Sequence, residues 1–340
     1  VKTPSRVTLS DVAAAAGVSL ATASRALNGS ERTVTPELVT QVRAAADRLG
    51  YVVDARAQEM ARGLSAGVGL VLGDIADPYF AGIASGVIAA AAERGLVVTM
   101  SAISASGRSE REIVGLLRSQ RPRAIVLANS RPREGLDDDG VAADLAAYRS
   151  AGGGTAIVAD VEGRPSGTVA VDNAASARAL AVALAGIGYS SFAVLGGAPD
   201  LDTPHRRATG FLAGLADAGV APPEGGVRYG EFTRDGGYAA MAELLDAGAR
   251  PECVFAVTDM MAVGAMAAIR SRGLRPGADI GVAGFDDITM LQDVSPSLST
   301  VRLPLHLLGR VALETALTEA DAPGGSVAAE VILRDSTPPR

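Results

Sequence analysis

The sequence predicts an α/β protein in which a small helix-turn-helix headpiece precedes a core of two doubly wound, parallel-sheet lobes. Two short helical segments flank a glycine turn at Gly17, which predicts the headpiece. From Val68 onward short apolar runs alternate with helical stretches, and they form two successive series of strands. At 340 residues the chain is too long for one ordinary core, as such a division requires.

Composition bounds what the chain can do. Apolar residues make up 48% and charged ones 20%, enough to bury a large core in a globular protein; aromatics are only 4%, so that core must rest on Ala, Val, Leu and Ile. Cys253, the single cysteine, lies in the apolar run Cys253–Val257 and reads as a buried strand residue, which leaves no intrachain disulfide or thiolate cluster. The chain lacks a secretion-signal pattern at its start and any apolar run of the roughly 20 residues that a membrane span needs, so a cytoplasmic location away from membranes is expected. The net charge of −7 divides unevenly: residues 1–64 carry 8 basic and 6 acidic side chains, leaving the remainder near −9. A basic head on an acidic body suits a head that approaches phosphate.

In chain order, Thr8-Leu9-Ser10-Asp11 has capping-box spacing and should open a helix running to about Ala15. Gly17 permits a tight turn, Ser19 caps a second helix over Leu20–Leu27, and Asn28-Gly29 ends it. Val12, Ala13, Ala16, Val18, Ala23 and Ala26 fall where two steeply crossing helices must touch. Thr35-Pro36-Glu37 starts a third helix to about Leu49, expected to close the core through Leu38, Val42, Ala45 and Leu49. Beyond it, strands are expected at 68–72, 97–100, 124–127 and 156–159, then at 169–171, 192–195, 227–229, 254–257 and 280–283. Helices begin between them near Pro78, Ser109, Val141, Asn173, His205, Arg234 and Met260. Ligands of open α/β sheets sit beyond the carboxyl ends of strands, which singles out Tyr79, Phe80, Asp160 and Asp259.

Val7–Ala13, Gly17-Val18-Ser19, Ala21–Gly29 and Leu49-Gly50-Tyr51 resemble the headpiece of the lactose-repressor-type (LacI/GalR) family of bacterial transcription regulators. The body carries matching motifs in family order: Asp77-Pro78-Tyr79-Phe80, Val171-Asp172-Asn173, Arg207–Phe211, Gly284–Ile288 and Arg334–Thr337. The resemblance implies a periplasmic-binding-protein-like core with a small-molecule effector between its lobes, and no other cofactor. It divides the chain into a DNA-binding domain at 1–50, a hinge at 51–65 and a core at 66–340. One lobe should hold about 66–162 and 286–322, the other about 163–285 and 323–340. Leu20, Ala21 and Arg25 would meet base edges, Thr8, Ser19, Thr22, Ser24 and Asn28 the phosphates. Arg25 suits this, since its forked guanidinium can bond O6 and N7 of guanine together. Asp54, Arg56 and Met60 would lie at the minor groove, where Met60 takes the place of the family's leucine wedge.

By the same resemblance the effector residues are Tyr79, Phe80, Asp160, Thr203, Arg207, Phe232, Asp259 and Asp286. Carboxylates and an arginine suit hydroxyls or amides, and aromatic faces suit a flat apolar side, so a sugar-like polyol is favoured. Leu201 stands where a purine-responsive relative has arginine. Plainer readings exist: Phe80 and Phe232 as core aromatics, Arg207 as partner of a neighbouring carboxylate, Asp286 as a turn residue. A homodimer on a pseudo-palindromic double-stranded operator follows, because one small reader is insufficient for tight specific binding.

No Walker sequence, complete dinucleotide fingerprint or nucleophile elbow stands out, and His205 and His306 do not form a metal motif. Asp137-Asp138-Asp139 reads as part of a solvated insertion rather than a cation site. The rival readings are a solute-capture protein and a sugar-modifying enzyme on an α/β scaffold.

Overall fold

The computed structural model describes residues 7–28, 34–51, 65–133, 140–160, 167–223, 225–318 and 325–340. Two compact units result, Val1–Gly63 and Leu64–Arg340. The expected hinge residues Asp54, Arg56 and Met60, and the Asp137–Asp139 cluster, lie outside the described residues.

In the first unit, helices α1 (Leu9–Ala15), α2 (Leu20–Asn28) and α3 (Pro36–Leu49) close a core of small side chains. Thr8 and Asp11 form the expected capping box: Thr8 N and Oγ1 both donate to Asp11 Oδ2, at 2.8 and 2.7 Å. Gly17 takes φ +63° in the turn, and Val18 N donates to Ala13 O at 3.0 Å. Val12, Ala13, Ala16, Ala23 and Ala26 are buried, so the helices cross closely. Two details of α3 differ from expectation. Thr35 occupies the cap position but its side chain makes no capping bond. Leu49 is exposed, and the packed stripe runs instead through Val39, Val42, Ala45 and Ala46.

In the second unit, parallel strands β1 (Gly67–Leu72), β2 (Val97–Ala102), β3 (Ala124–Ala128), β4 (Gly154–Ala159) and β5 (Thr168–Val171) form a sheet in the order β5-β4-β3-β1-β2. Strands β6 (Phe192–Gly197), β7 (Val227–Tyr229), β8 (Cys253–Ala256) and β9 (Gly281–Ala283) form a second parallel sheet, ordered β7-β6-β8-β9. Strands β1, β3 and β8 are buried almost throughout, as continuous apolar runs covered by helices on both faces must be. Late in the chain come β10 (Thr300–Arg302), β11 (Ser326–Val327) and β12 (Glu330–Ile332). β11 adds to β5 in the first sheet, and β10 pairs antiparallel with β12.

These pairings move the expected lobe boundaries. Val169–Val171 belongs to the first lobe, because Val158 and Ala159 of β4 pair with Val169 and Ala170. The chain therefore crosses after Val171 rather than near 160–165, and crosses for the last time after Val327 rather than at 320–325. Ser336 then reaches the second sheet, with Val282 N donating to its carbonyl at 2.9 Å. The helices Pro78–Ala92 and Leu305–Leu317, the latter unforeseen, cross where each carries a glycine. A Cβ on Gly86 would lie 2.0 Å from His306 O, and one on Gly309 2.0 Å from Ile83 O. No side chain fits there.

Candidate functional site

The headpiece offers one exposed helix face. Leu20, Ala21 and Arg25 are all exposed, with Leu20 at 53% despite its apolar side chain, while Ala23 and Ala26 turn inward. Among the described residues Arg25 has no ion-pair partner. Ser19 Oγ accepts from Thr22 N at 3.1 Å and lies 2.8 Å from Thr22 Oγ1, so one hydroxyl proton of the pair remains to donate outward. The Thr8 hydroxyl donates to Asp11, which makes it a capping group first. Ser24 is half-buried on the same helix; Asn28 ends it, and its side chain is outside the described set.

In the second unit a cavity of about 450 Å³ opens between the lobes. Its first wall follows β1. Asp77 caps the helix Pro78–Ala92 by accepting from Tyr79 N at 2.9 Å, which sets Tyr79 and Phe80 on the first helical turn. Their rings meet edge to face at 5.0 Å. Phe80 lies directly over Gly73, where a Cβ would fall 2.7 Å from the ring tip. Burial raises the Tyr79 hydroxyl pKa and keeps it protonated.

The opposite wall uses the starts of the helices that follow the second sheet. Thr203 and Arg207 come from Asp202–Asp217, Phe232 and Thr233 precede Arg234–Asp246, and Thr258 caps Asp259–Ser271. Arg207 is 2% exposed. Its Nε donates to Asn173 Oδ1 at 2.8 Å and its Nη1 to Val257 O at 2.9 Å. Its Nη2 lies 2.9 Å from Asp286 Oδ1, in ion contact without hydrogen-bond alignment. The guanidinium also stacks 3.9 Å above Phe285. Asp286 takes φ +120° where the chain leaves the second sheet, a backbone that L residues rarely adopt. Burial holds its carboxyl well above the usual carboxylate range even beside Arg207.

Six of the eight expected effector residues therefore line the cavity: Tyr79, Phe80, Thr203, Arg207, Phe232 and Asp286. Two are not among its lining residues. Asp160 stands behind the wall, accepting from Asn173 Nδ2 at 3.1 Å, with Arg206 Nε 3.9 Å away. Asp259 is fully buried and turned away: it accepts from Ile288 N at 2.9 Å and Thr300 Oγ1 at 2.6 Å, bracing the lobe connections. Burial lifts its pKa to about 6. The residue at that strand end which reaches the cavity is its neighbour Thr258. Asn173, Asp77 and Arg234 also line it and were not singled out as effector residues; Asn173 lay within a quoted motif whose side-chain role needed coordinates. The plainer reading of Arg207 holds together with the functional one, since it both pairs with a carboxylate and faces the cavity. Leu201 lines the cavity, His205 does not, and Cys253 is buried with its thiol pKa raised by burial.

Comparison with known proteins gives these features a common context. Residues 8–54 match the family described as bacterial regulatory proteins, lacI family, and residues 181–337 match a periplasmic binding protein-like domain. The HTH-type transcriptional regulator CelR of Thermobifida fusca is 33% identical over 310 residues, covering 90% of this chain and 89% of its own length. GalS of Salmonella typhimurium is 31% identical over 315 residues, 92% of this chain and 90% of GalS. Among solved structures, the lac repressor dimer bound to operator and the anti-inducer ONPF has a TM-score of 0.82 at 26% identity, covering 98% of this chain and 99% of that one. A complex of CelR with cellobiose has a TM-score of 0.68 at 30% identity, covering 97% and 100%. Regulators of this kind match a reading helix, a two-lobed domain and nearly the whole length between. The chain belongs to the lacI family of bacterial regulatory proteins and is a DNA-binding transcription regulator, not an enzyme.

Proposed function

We propose that the protein is a cytoplasmic, homodimeric repressor whose hold on a pseudo-palindromic operator is set by a sugar-like polyol in the interlobe cavity. The observation that carries this reading is the cavity's division of labour: Arg207, Asn173 and Asp286 present polar groups, and Tyr79, Phe80 and Phe232 present aromatic faces. A saccharide ring has hydroxyls for the former and an apolar face for the latter. Relatives that bind cellobiose, and an operator-bound relative that is a dimer, support the same reading. Leu201 in the wall favours a polyol over a purine. On the headpiece, Leu20, Ala21 and Arg25 read bases, while Ser19, Thr22, Ser24 and Asn28 hold phosphates with Thr8 at the helix start. Asp54, Arg56 and Met60 engage the minor groove.

The cavity ligand controls DNA affinity only through its different affinity for the two lobe arrangements. The test is thermal unfolding of the full chain with cellobiose, maltose, galactose, glucose, ribose or adenosine. A saccharide at 100 times its Kd should stabilise the chain by about 2.7 kcal/mol. Stabilisation by adenosine alone, or by none of them, would contradict the saccharide reading.

A further inference from the structure

The loop that leaves β3 carries two buried polar atoms that the fold does not satisfy. Asn129 and Ser130 line the interlobe cavity, and Asn129 Oδ1 and Ser130 Oγ are shielded from solvent with no hydrogen-bond partner among the described residues. The segment just beyond them is fixed on both sides. Arg131 forms a buried ion pair with Glu110 of its own lobe. Across the cleft, Arg133 N donates to Asp200 O and Asp202 N donates to Arg131 O, each at 2.8 Å, so that Pro132 bridges Leu201 of the other lobe. With its continuation tied down in this way, the loop cannot swing the two side chains out to water. Buried polar groups held like this take their partners from a ligand or from ordered water.

We propose that Asn129 and Ser130 form a second polar subsite of the effector cavity, supplied by the first lobe, that takes a hydroxyl group or vicinal hydroxyl pair of the ligand. An amide oxygen accepts and a serine hydroxyl both donates and accepts, which matches a sugar hydroxyl in kind. This inference rests on the saccharide reading of the cavity. The subsite selects among saccharides, because a ligand with no hydroxyl there leaves the Asn129 oxygen buried and unpaired. It also ties ligand to lobe closure. A ligand held here and at Arg207 is gripped from both lobes, beside the backbone bridge that joins them.

The test is calorimetric titration of the full-length chain with whichever of cellobiose, maltose, galactose, glucose and ribose binds it. Asn129→Leu should weaken that saccharide about ten- to hundredfold and Ser130→Ala about three- to tenfold. A monodeoxy analogue that loses affinity for the parent chain should lose little more on Asn129→Leu, since ligand and protein then lack the same bond. Urea midpoints check that the variants fold; should Asn129→Leu fail, Ser130→Ala and Asn129→Asp carry the measurement. Saccharide binding with unchanged affinity in these variants would overturn the subsite alone and assign the two atoms to water. Absence of any saccharide binding would remove the saccharide reading and this inference together.

Discussion

Two arginines set the reading helix apart from the cleft. Arg25 stands exposed on the helix, without an ion-pair partner among the described residues, and keeps its donors hydrated. Arg207 is almost wholly buried, with Asn173, Val257 and Asp286 around its nitrogens and Phe285 beneath it. The first is a contact waiting for its partner, and the fold does not depend on it. The second is part of the fold, so the cavity it lines is shaped before a ligand enters. Specificity residues on DNA-binding surfaces can therefore be exchanged freely, whereas cleft residues change stability and ligand response together.

The contrast breaks most readily at Arg207. Arg207→Leu strands a buried carboxylate and should lower the stability of the second unit by about 3–5 kcal/mol, read from urea unfolding. Arg25→Ala should stay within about 0.5 kcal/mol of the parent chain in the same experiment. Equal stability losses in the two variants would erase the distinction. Operator binding reverses the order of effects at Arg25: Arg25→Ala should cost about 1–3 kcal/mol of affinity and relax selection at one base pair, measured against a randomised duplex library. Unchanged base preference would remove Arg25 from the reading surface.

Protonation sharpens the comparison further. Burial raises Asp259 from 3.8 to about 6. Its contribution to stability is thus complete below about pH 4 and is lost as pH rises through about 6. The penalty for Asp259→Asn should accordingly be largest near pH 4 and shrink toward pH 7, as urea midpoints across that range would reveal. In the headpiece, bonds from Thr8 lower the Asp11 pKa, so its contribution is present above about pH 4 and fades as pH falls. The smallest expected effect is at the turn between the reading helices. Gly17 has open space around it but a positive φ, so Gly17→Ala should cost the headpiece about 1 kcal/mol in thermal unfolding and leave the second unit unchanged.

The headpiece was readable from sequence because its signals are local. Thr8 with Asp11, Gly17, Ser19 and the small residues Ala13 and Ala23 each act within a few positions. The cavity was readable as far as strand ends determine it, which placed Tyr79, Phe80 and Arg207. What was hidden depends on direction and pairing. Thr258 and Asp259 are adjacent at one strand end, and only the bonds from Ile288 and Thr300 show that Asp259 turns away. β5 was set in the wrong lobe because parallel neighbours usually need a dozen or more residues between them, and here only residues 160–167 intervene. Asn129 and Ser130 bear no motif; their role emerges from partners they lack.

The account's central claim is that occupancy of the interlobe cavity changes the grip of the reading helix on DNA. It is tested most directly by fluorescence anisotropy of an operator duplex, selected by the full-length chain, titrated with protein in the presence and absence of a saturating cavity ligand. The account predicts a shift in operator Kd of about 5- to 150-fold, the usual range of coupling between linked sites. A ligand that demonstrably fills the cavity yet leaves the operator Kd unchanged would contradict it.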